Sequence, residues 1–379
     1  MKNLSKTSTD LSKFFNARQT IFHASNLNIS ISQTFGYFPV SLKSKSHIPQ
    51  VIAILISATS FVLGLWVLFS GRVDTSSHPS GTFKSVTVAW TAFIFITQSL
   101  SRLTLLAQGG KLINLLNSCI STVEKILQLT SKETEFTQFC QKLRIRYVKL
   151  ISLYSLAAVV IALLQFRNVL STRLEHPAEK SALSNDIIIG GVSIMSHLSI
   201  FSLLSLEFFC EIYNYCLNCI IASIIDKKSA VLKKNGKYND YNYINDVLDS
   251  FTTLNLQVEE CNVTYEGKIV IDFFFYFVLG IFRGYFASQL GTECCTVTSL
   301  VYFTIHLLSI SVIGCGLWSI AAASTALEEK SGRFFRELVD LSVEYEEGGL
   351  LNKSSKLKIL SAVTTYLVIV VQFQQNEKL

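Results

Sequence analysis

The sequence predicts an all-α membrane protein with seven transmembrane helices, its N-terminus inside and its C-terminus outside, and with helices that extend into a cytoplasmic anchor region. Half of the 379 residues are apolar and only 16% are charged, whereas soluble domains carry about 25% charged residues. The apolar residues form blocks of about 20, the length that crosses the hydrocarbon core of a bilayer. Lys and Arg concentrate in alternate segments between these blocks, which indicates an orientation.

Seven apolar blocks give the predicted spans. They are Gln50–Phe69, Ser85–Leu106, Lys149–Phe166, Ile187–Phe209, Ile269–Leu290, Val297–Ala322 and Leu357–Phe373. The last block is the shortest and the most polar. Such a helix is better suited to the interior of a bundle or to a pore than to contact with lipid.

The orientation follows from the basic residues. Counted segment by segment, 23 Lys and Arg residues fall in the N-terminal tail and in the second, fourth and sixth loops, and six fall on the opposite side. Cytoplasmic loops carry the excess of Lys and Arg in membrane proteins. The N-terminus is therefore predicted inside and, after seven crossings, the C-terminus outside, which is the reverse of a G-protein-coupled receptor.

Two segments on the inner side have the pattern of packed helices. Apolar residues recur at spacings of three and four in both segments, at Ile113, Leu116, Ile120, Val123 and Leu127, and at Ile244, Val247, Phe251, Leu254 and Val258. Such a seam lies along one face of a helix. We expect the helices of spans two to five to continue into the cytoplasm and pack there; the alternative is two helices lying flat on the inner leaflet.

These observations divide the chain into four parts. They are a cytoplasmic tail (1–49), a six-helix bundle with cytoplasmic extensions (50–323), a cytoplasmic connecting helix (324–356), and a last helix with an extracellular C-terminus (357–379); the resemblance described below implies that the bundle senses the ligand and that the last helix lines a pore.

Polar side chains inside the spans are candidates for function, because burying them in hydrocarbon is costly. Those in the outer halves are Trp90, Gln98, Gln165, His197, Arg283, Gln289, Tyr302 and His306. All but Gln98 are predicted as ligand-binding residues around one outward-facing cavity. For Arg283, the alternatives are a guanidinium that reaches outward to the interface and a structural pairing.

Several other classes of function lack their motifs. The sequence contains no H-E-x-x-H, Walker loop or G-x-S-x-G motif, and its histidines are scattered, so we predict no enzyme, no metal site and no cofactor. The net charge of +6 is spread over separate segments and does not form the basic face of a nucleic-acid-binding protein.

The last span carries the most specific motif. Residues 365–373 read TYLVIVVQF and end six residues before the C-terminus. With Thr365, Tyr366, Gln372 and Phe373 at these positions, the sequence resembles the insect gustatory receptor family, whose signature lies in its final helix. That family also has the inverted seven-span topology. Outside the last span, the likeness is architectural.

The resemblance implies a tastant-gated, non-selective cation channel of chemosensory neurons. Four copies of the last helix would line one pore, with Ile369, Gln372 and Phe373 as the pore and gate residues. Apolar rings can close a narrow pore by dewetting, and rotation of the helix would turn Gln372 inward. Alternatively, Tyr366 and Gln372 hydrogen-bond neighbouring helices.

The implied partners are a small-molecule tastant, the lipid bilayer, permeant cations and other subunits, either as a homotetramer or as a heteromer with other gustatory receptors, and no nucleic acid. The implied location is the plasma membrane, as a multi-pass protein in the dendrite of a gustatory neuron.

Two departures from the family pattern narrow the expectation. Leu367 stands where sugar-detecting members often have Glu, which favours a fructose-type or bitter-type ligand. The interval Ser324–Leu357 is shorter than is usual in the family, as in an abridged variant.

Two other classes of protein stay open on sequence alone. One is a metabotropic seven-helix receptor, which the charge bias disfavours. The other is a secondary transporter, for which the internal repeat is missing.

Overall fold

The computed structural model describes residues 16–40, 47–70, 81–175, 204–233, 241–292 and 297–347. These residues form eight α-helices: α1 Ala17–Thr34, α2 Ile48–Ser70, α3 Gly81–Ala107, α4 Gly109–Thr130, α5 Glu133–Glu175, α6 Leu204–Lys233, α7 Tyr241–Thr292 and α8 Val297–Glu347. The described ranges contain no strand, which confirms the all-α prediction.

Local signals explain where some helices begin and end. The Asn16 side chain caps α1 by accepting a hydrogen bond of 2.9 Å from the backbone N–H of Gln19, which satisfies one of the unpaired donors of the first turn. Ser131 ends α4 in the left-handed conformation, with φ at 53°. Two acidic residues, Glu133 and Glu135, then occupy the first turn of α5, where the helix dipole favours negative charge.

The helices α2 and α3 pack closely through small residues. The buried face of α2 consists of Pro49, Ala53, Ser57, Ser60, Gly64 and Val67. At Gly64 a Cβ atom would lie 3.0 Å from Cγ1 of Ile96 and 3.1 Å from Cβ of Phe95. Small residues allow this close approach of two helices, and most of the large apolar side chains of α2 are exposed.

The main hydrophobic core is built mostly from α1 and from α4 to α8, with Leu105 of α3 and with Phe38 and Val40 after α1. It buries most of both predicted seams: Leu116, Ile120, Val123 and Leu127 on α4, and Ile244, Val247, Phe251 and Leu254 on α7. Val258 is partly buried and packs against the same core. Ile113 differs, since it is 43% exposed. The seams therefore serve helix packing, as the alternating spacing of three and four predicts.

The continuity of the helices agrees with the prediction for spans three and five and differs for span two. The helices α5 and α7 each run without a break through a predicted span and the segment next to it. By contrast, α3 ends at Ala107 and α4 begins at Gly109. Two consecutive glycines, Gly109 and Gly110, explain this interruption, because glycine is unfavourable inside a helix.

Within the described ranges, three helices are long and apolar enough to cross a membrane: Ile48–Ser70, Ser85–Ala107 and Leu204–Ala230. Only 28% of the most apolar window of the first is buried inside the protein, against 61% for the third. The first helix therefore exposes most of its apolar surface, whereas the third directs much of its apolar surface into the core. The seventh predicted span lies outside the described residues.

Candidate functional site

Two of the predicted ligand-binding residues meet between α3 and α7. The guanidinium carbon of Arg283 lies 5.5 Å from the centroid of the Trp90 ring. Both side chains are buried, at 4% and 7% exposure. Trp offers the best face for a cation among the aromatic residues, and the attraction strengthens when the pair is removed from water. The structure therefore brings an arginine and its aromatic partner together at one point.

Aromatic residues surround this pair. The rings of Trp90 and Phe282 are 4.9 Å apart and tilted by 45°. On the next turn of α3, Phe93 stacks on Phe275 with ring centroids 6.0 Å apart. Together with Ile94, Phe95, Tyr276 and Leu279, these rings form a second core, which we call the aromatic cluster. A guanidinium within an aromatic wall can bind a ligand with a polar acceptor and an apolar face.

The aromatic cluster touches a third helix. Leu317 and Ile320 of α8 are partly buried and pack against it. Ile320 also packs against the main core. The aromatic cluster and the main core therefore share one side chain.

A second contact between α3 and α7 fixes their relative direction. Ser101 Oγ donates a hydrogen bond of 2.6 Å to Oδ1 of Asp272. This pair lies eleven residues from Trp90 on α3 and eleven residues from Arg283 on α7, in opposite directions along the chain. The two helices are thus antiparallel, and the two pairs lie about 16 Å apart along them at 1.5 Å per residue.

Asp272 belongs to a buried ion pair. Its Oδ2 atom accepts a hydrogen bond from Nζ of Lys268, one helical turn away, and both side chains are 2% exposed. An isolated buried charge would be very unfavourable. The Lys268 ammonium compensates the Asp272 carboxylate, and the Ser101 hydroxyl satisfies its second oxygen.

Next to this pair, Arg102 holds the segment that follows α1. Its Nε donates to the Phe35 carbonyl oxygen at 2.8 Å, and its Nη2 donates to the Tyr37 hydroxyl at 2.9 Å. The Tyr37 hydroxyl in turn donates to Oε1 of Gln98. Arg102 also donates from Nη1 to the Gln98 carbonyl oxygen at 3.0 Å. These hydrogen bonds fix residues that precede the first predicted span to the buried face of the second predicted span.

Burial changes the chemistry of Tyr37. Desolvation raises the pKa of its hydroxyl to about 12; the Asp272 carboxylate adds to this rise, and the Arg102 guanidinium opposes it. Tyr37 therefore stays protonated at physiological pH and keeps the proton that it donates to Gln98.

A second ionic cluster joins α5, α6 and α8. Arg146 donates to Glu211 at 2.6 Å and to Glu207 at 2.7 Å. Ser319 on α8 donates to the same Glu207 oxygen at 2.8 Å. Arg146 thus joins α5 to two carboxylates of α6, and Ser319 joins α8 to one of them.

The comparison with solved structures identifies the fold. The chain matches the structure of the insect olfactory receptor OR5 from Machilis hrabei with a TM-score of 0.61, over 94% of this chain and 100% of that one, at 13% sequence identity. The chain has the fold of an insect olfactory receptor. No protein-family model matches the sequence, and no curated protein matches it.

The side chains of the other predicted site residues lie outside the part of the chain that the structure describes. Gln165, Gln289, Tyr302 and His306 lie on α5, α7 and α8, but their side chains fall outside the described part of the chain. His197 and the whole motif of the last span, with Thr365, Tyr366, Ile369, Gln372 and Phe373, also lie outside the described residues. Their roles stay predictions.

The receptor fold corrects one placement and adds residues that sequence reasoning missed. Gln98 was expected in the outer half of the second span with Trp90, but its amide oxygen accepts a hydrogen bond from Tyr37 beside Arg102. It lies about two turns further along α3 than Trp90, towards the end that is predicted to face the cytoplasm, which explains the difference. Arg102 and Lys268 were missed as a pair of buried cations, although a charged residue inside or next to a predicted span is itself the signal for such a cluster.

Proposed function

We propose that the chain is a chemosensory receptor of the gustatory type, a tastant-gated, non-selective cation channel in the plasma membrane of a chemosensory neuron. The observation that carries this proposal is the likeness to an insect olfactory receptor over 94% of the chain. The motif of the last span supports it independently, because the fold comparison at 13% identity does not depend on a nine-residue match. The motif is also what favours the gustatory type.

In this proposal the ligand binds among the aromatic cluster and the neighbouring outer-half residues. Arg283 would orient a hydroxyl, carbonyl or carboxylate of the tastant, and the rings would contact its apolar face. A ligand can shift the closed-to-open equilibrium only by its differential affinity for the two states. Contacts that span α3, α7 and α8 meet this condition if these helices move relative to one another on opening.

The pore of the proposed channel is the last helix, in four copies. Phe373 and Ile369 would form the apolar constriction, and Gln372 would offer amide oxygens to passing cations in the open state. The subunits are either identical or include other gustatory receptors. A fructose-type or bitter-type tastant fits the absence of an acidic residue at Leu367.

The test is calcium imaging and patch-clamp recording from cells that express the full chain. The panel contains sugars, bitter compounds and volatile odorants, so that a response identifies the ligand class. We expect ligand-evoked unitary currents. We expect Gln372→Ala to change the relative permeability of cations and Phe373→Ala to raise the current without ligand.

The matched control is Gln375→Ala, the same exchange two residues beyond the motif. It should leave permeability unchanged. Robust ligand responses with Gln372→Ala and Phe373→Ala indistinguishable from the parent chain would contradict the pore assignment. Ligand-dependent flux without unitary events would contradict the channel itself and favour a transporter.

A further inference from the structure

One face of α5 carries basic and apolar side chains that the proposed gating does not use. A groove of about 390 Å³ runs along this face, lined by Lys142, Ile145, Arg146, Lys149, Leu150 and Leu153. Their spacing of three, four, seven, eight and eleven residues puts them on neighbouring turns of one helix face. The groove is therefore a feature of the helix surface itself.

Among the basic residues on this face, only Arg146 has an ion-pair partner within the described residues. Arg146 is engaged by Glu207 and Glu211. Lys142 and Lys149 are exposed, and neither makes an ion pair with any residue that the structure describes. They are two turns apart, about 10 Å along the axis, and their long side chains can converge on a group between them. The groove thus presents two uncompensated ammonium groups.

The same face changes character at Lys149. Before it, two of the three exposed lining residues, Lys142 and Arg146, are basic. After it, Leu153, Leu156 and Leu163 are exposed, with Leu153 at 60%. The predicted third span begins at Lys149, so this change marks the inner boundary of the membrane. Ile145, at 55% exposure, continues the apolar surface between the two lysines.

We infer that this groove binds a phospholipid with an anionic headgroup in the inner leaflet. Clustered Lys and Arg immediately cytoplasmic of a span attract the anionic lipids of the inner leaflet. Lys142 and Lys149 would contact the phosphate and carboxylate of a headgroup such as phosphatidylserine. The acyl chains would lie along Leu153 and Leu156. The charge and the apolar surface on this face fit one amphipathic molecule, with its head towards the cytoplasm.

The experiment measures lipid selectivity of the full chain without tastant, so its outcome is independent of the proposed channel function. The protein is reconstituted in phosphatidylcholine vesicles that contain a trace of spin-labelled lipid, either phosphatidylserine or phosphatidylcholine. The motionally restricted fraction of the label reports which lipid the protein surface holds. We expect phosphatidylserine to be preferred.

The variant Lys142→Gln/Lys149→Gln should lower this preference at least twofold, because each lysine near an anionic surface contributes a factor of about five in affinity. Lys142→Arg/Lys149→Arg should preserve it. The charge-matched control, Lys125→Gln/Arg336→Gln, neutralises two exposed residues on α4 and α8 that lie away from the predicted membrane boundary, and it should leave the preference unchanged.

Three results would overturn the inference. The first is that the parent chain immobilises the two spin-labelled lipids equally. This result needs no variant, so it is decisive even if a variant does not assemble. The second is a preference that the double Gln variant retains. The third is a double Gln variant that has a different number of subunits per particle from the parent chain but the same lipid selectivity. Such a result would mean that a second copy of the chain, and not a lipid, covers the groove.

Discussion

The Tyr37 ring lies beneath the Arg102 guanidinium, with the guanidinium carbon 4.4 Å from the ring centroid, and the hydroxyl of the same ring accepts a hydrogen bond from that arginine at 2.9 Å. Arg102 is 1% exposed and Tyr37 is fully buried. Residues 36–40, which follow α1, are thus part of the folded interior.

Replacing Arg102 should destabilise the protein. In Arg102→Gln the half-buried Phe35 carbonyl and the buried Tyr37 hydroxyl lose the hydrogen bonds that the guanidinium donates, and a hydrogen bond from a charged donor contributes about 1.5–3 kcal/mol. We expect the free energy of unfolding to fall by about 3 kcal/mol, measured as a lower Tm in detergent. Arg18→Gln is the control, because Arg18 is exposed; equal Tm values for the two variants would contradict the role of Arg102.

Gly36 should not tolerate a side chain. Its φ of +75° is unfavourable for other residues, and a Cβ would lie 3.0 Å from Cα of Ala53 and 3.3 Å from Cδ of Arg102. We expect Gly36→Ala to lower the Tm, because strain and overpacking each cost about 1 kcal/mol or more. Gly110→Ala, with nothing within 4 Å of its Cβ, should raise the Tm slightly. A neutral Gly36→Ala would show that this turn is not fixed as described.

Trp90 should contribute to ligand sensitivity if the aromatic cluster is the binding site. In Trp90→Phe the cation–π interaction that positions Arg283 weakens by about 1 kcal/mol. We expect the half-maximal tastant concentration in calcium imaging to rise, by at most about fivefold, at equal surface expression. Trp66→Phe is the matched control, since Trp66 is 42% exposed on α2. Identical dose–response curves for both variants would remove Trp90 from the site.

Two cysteines should resist alkylation in the folded protein. Cys119 and Cys140 are buried, and desolvation raises the pKa of each thiol to about 12. At pH 8 only about one molecule in ten thousand would carry the reactive thiolate. Peptide mapping after iodoacetamide treatment should show both unmodified in the native protein and fully modified in the denatured chain. Rapid native labelling of either would contradict the packing around α4 and α5.

The two termini should lie on opposite sides of the membrane. With the 23-to-6 distribution of Lys and Arg, the positive-inside rule predicts a cytoplasmic N-terminus and an extracellular C-terminus. Antibodies should reach a C-terminal epitope on intact cells and an N-terminal epitope only after permeabilisation. A cytoplasmic C-terminus would exclude the seven-span arrangement and, with it, the proposed pore.

The sequence predicted helices more reliably than side-chain partners. Spacing alone placed Leu116 and Ile120 of α4 and Val247 of α7 in a packed interior, because a helix face is set by local geometry. It also singled out Trp90 and Arg283 separately. Their contact depends on how α3 and α7 are aligned, which no local pattern encodes, and the same is true of the hydrogen bonds that join Gln98 and Arg102 to Tyr37.

Ile320 touches both the aromatic cluster and the main core. A change in side-chain volume at this position would be felt on both sides of α8 at once, so a single methyl group removed by Ile320→Val would loosen two packing environments. Natural variation at this residue should accordingly be confined to side chains of nearly the same shape. If substitutions at Ile320 were tolerated, the two cores would adjust independently; if they were not, the packing of one core would depend on the packing of the other.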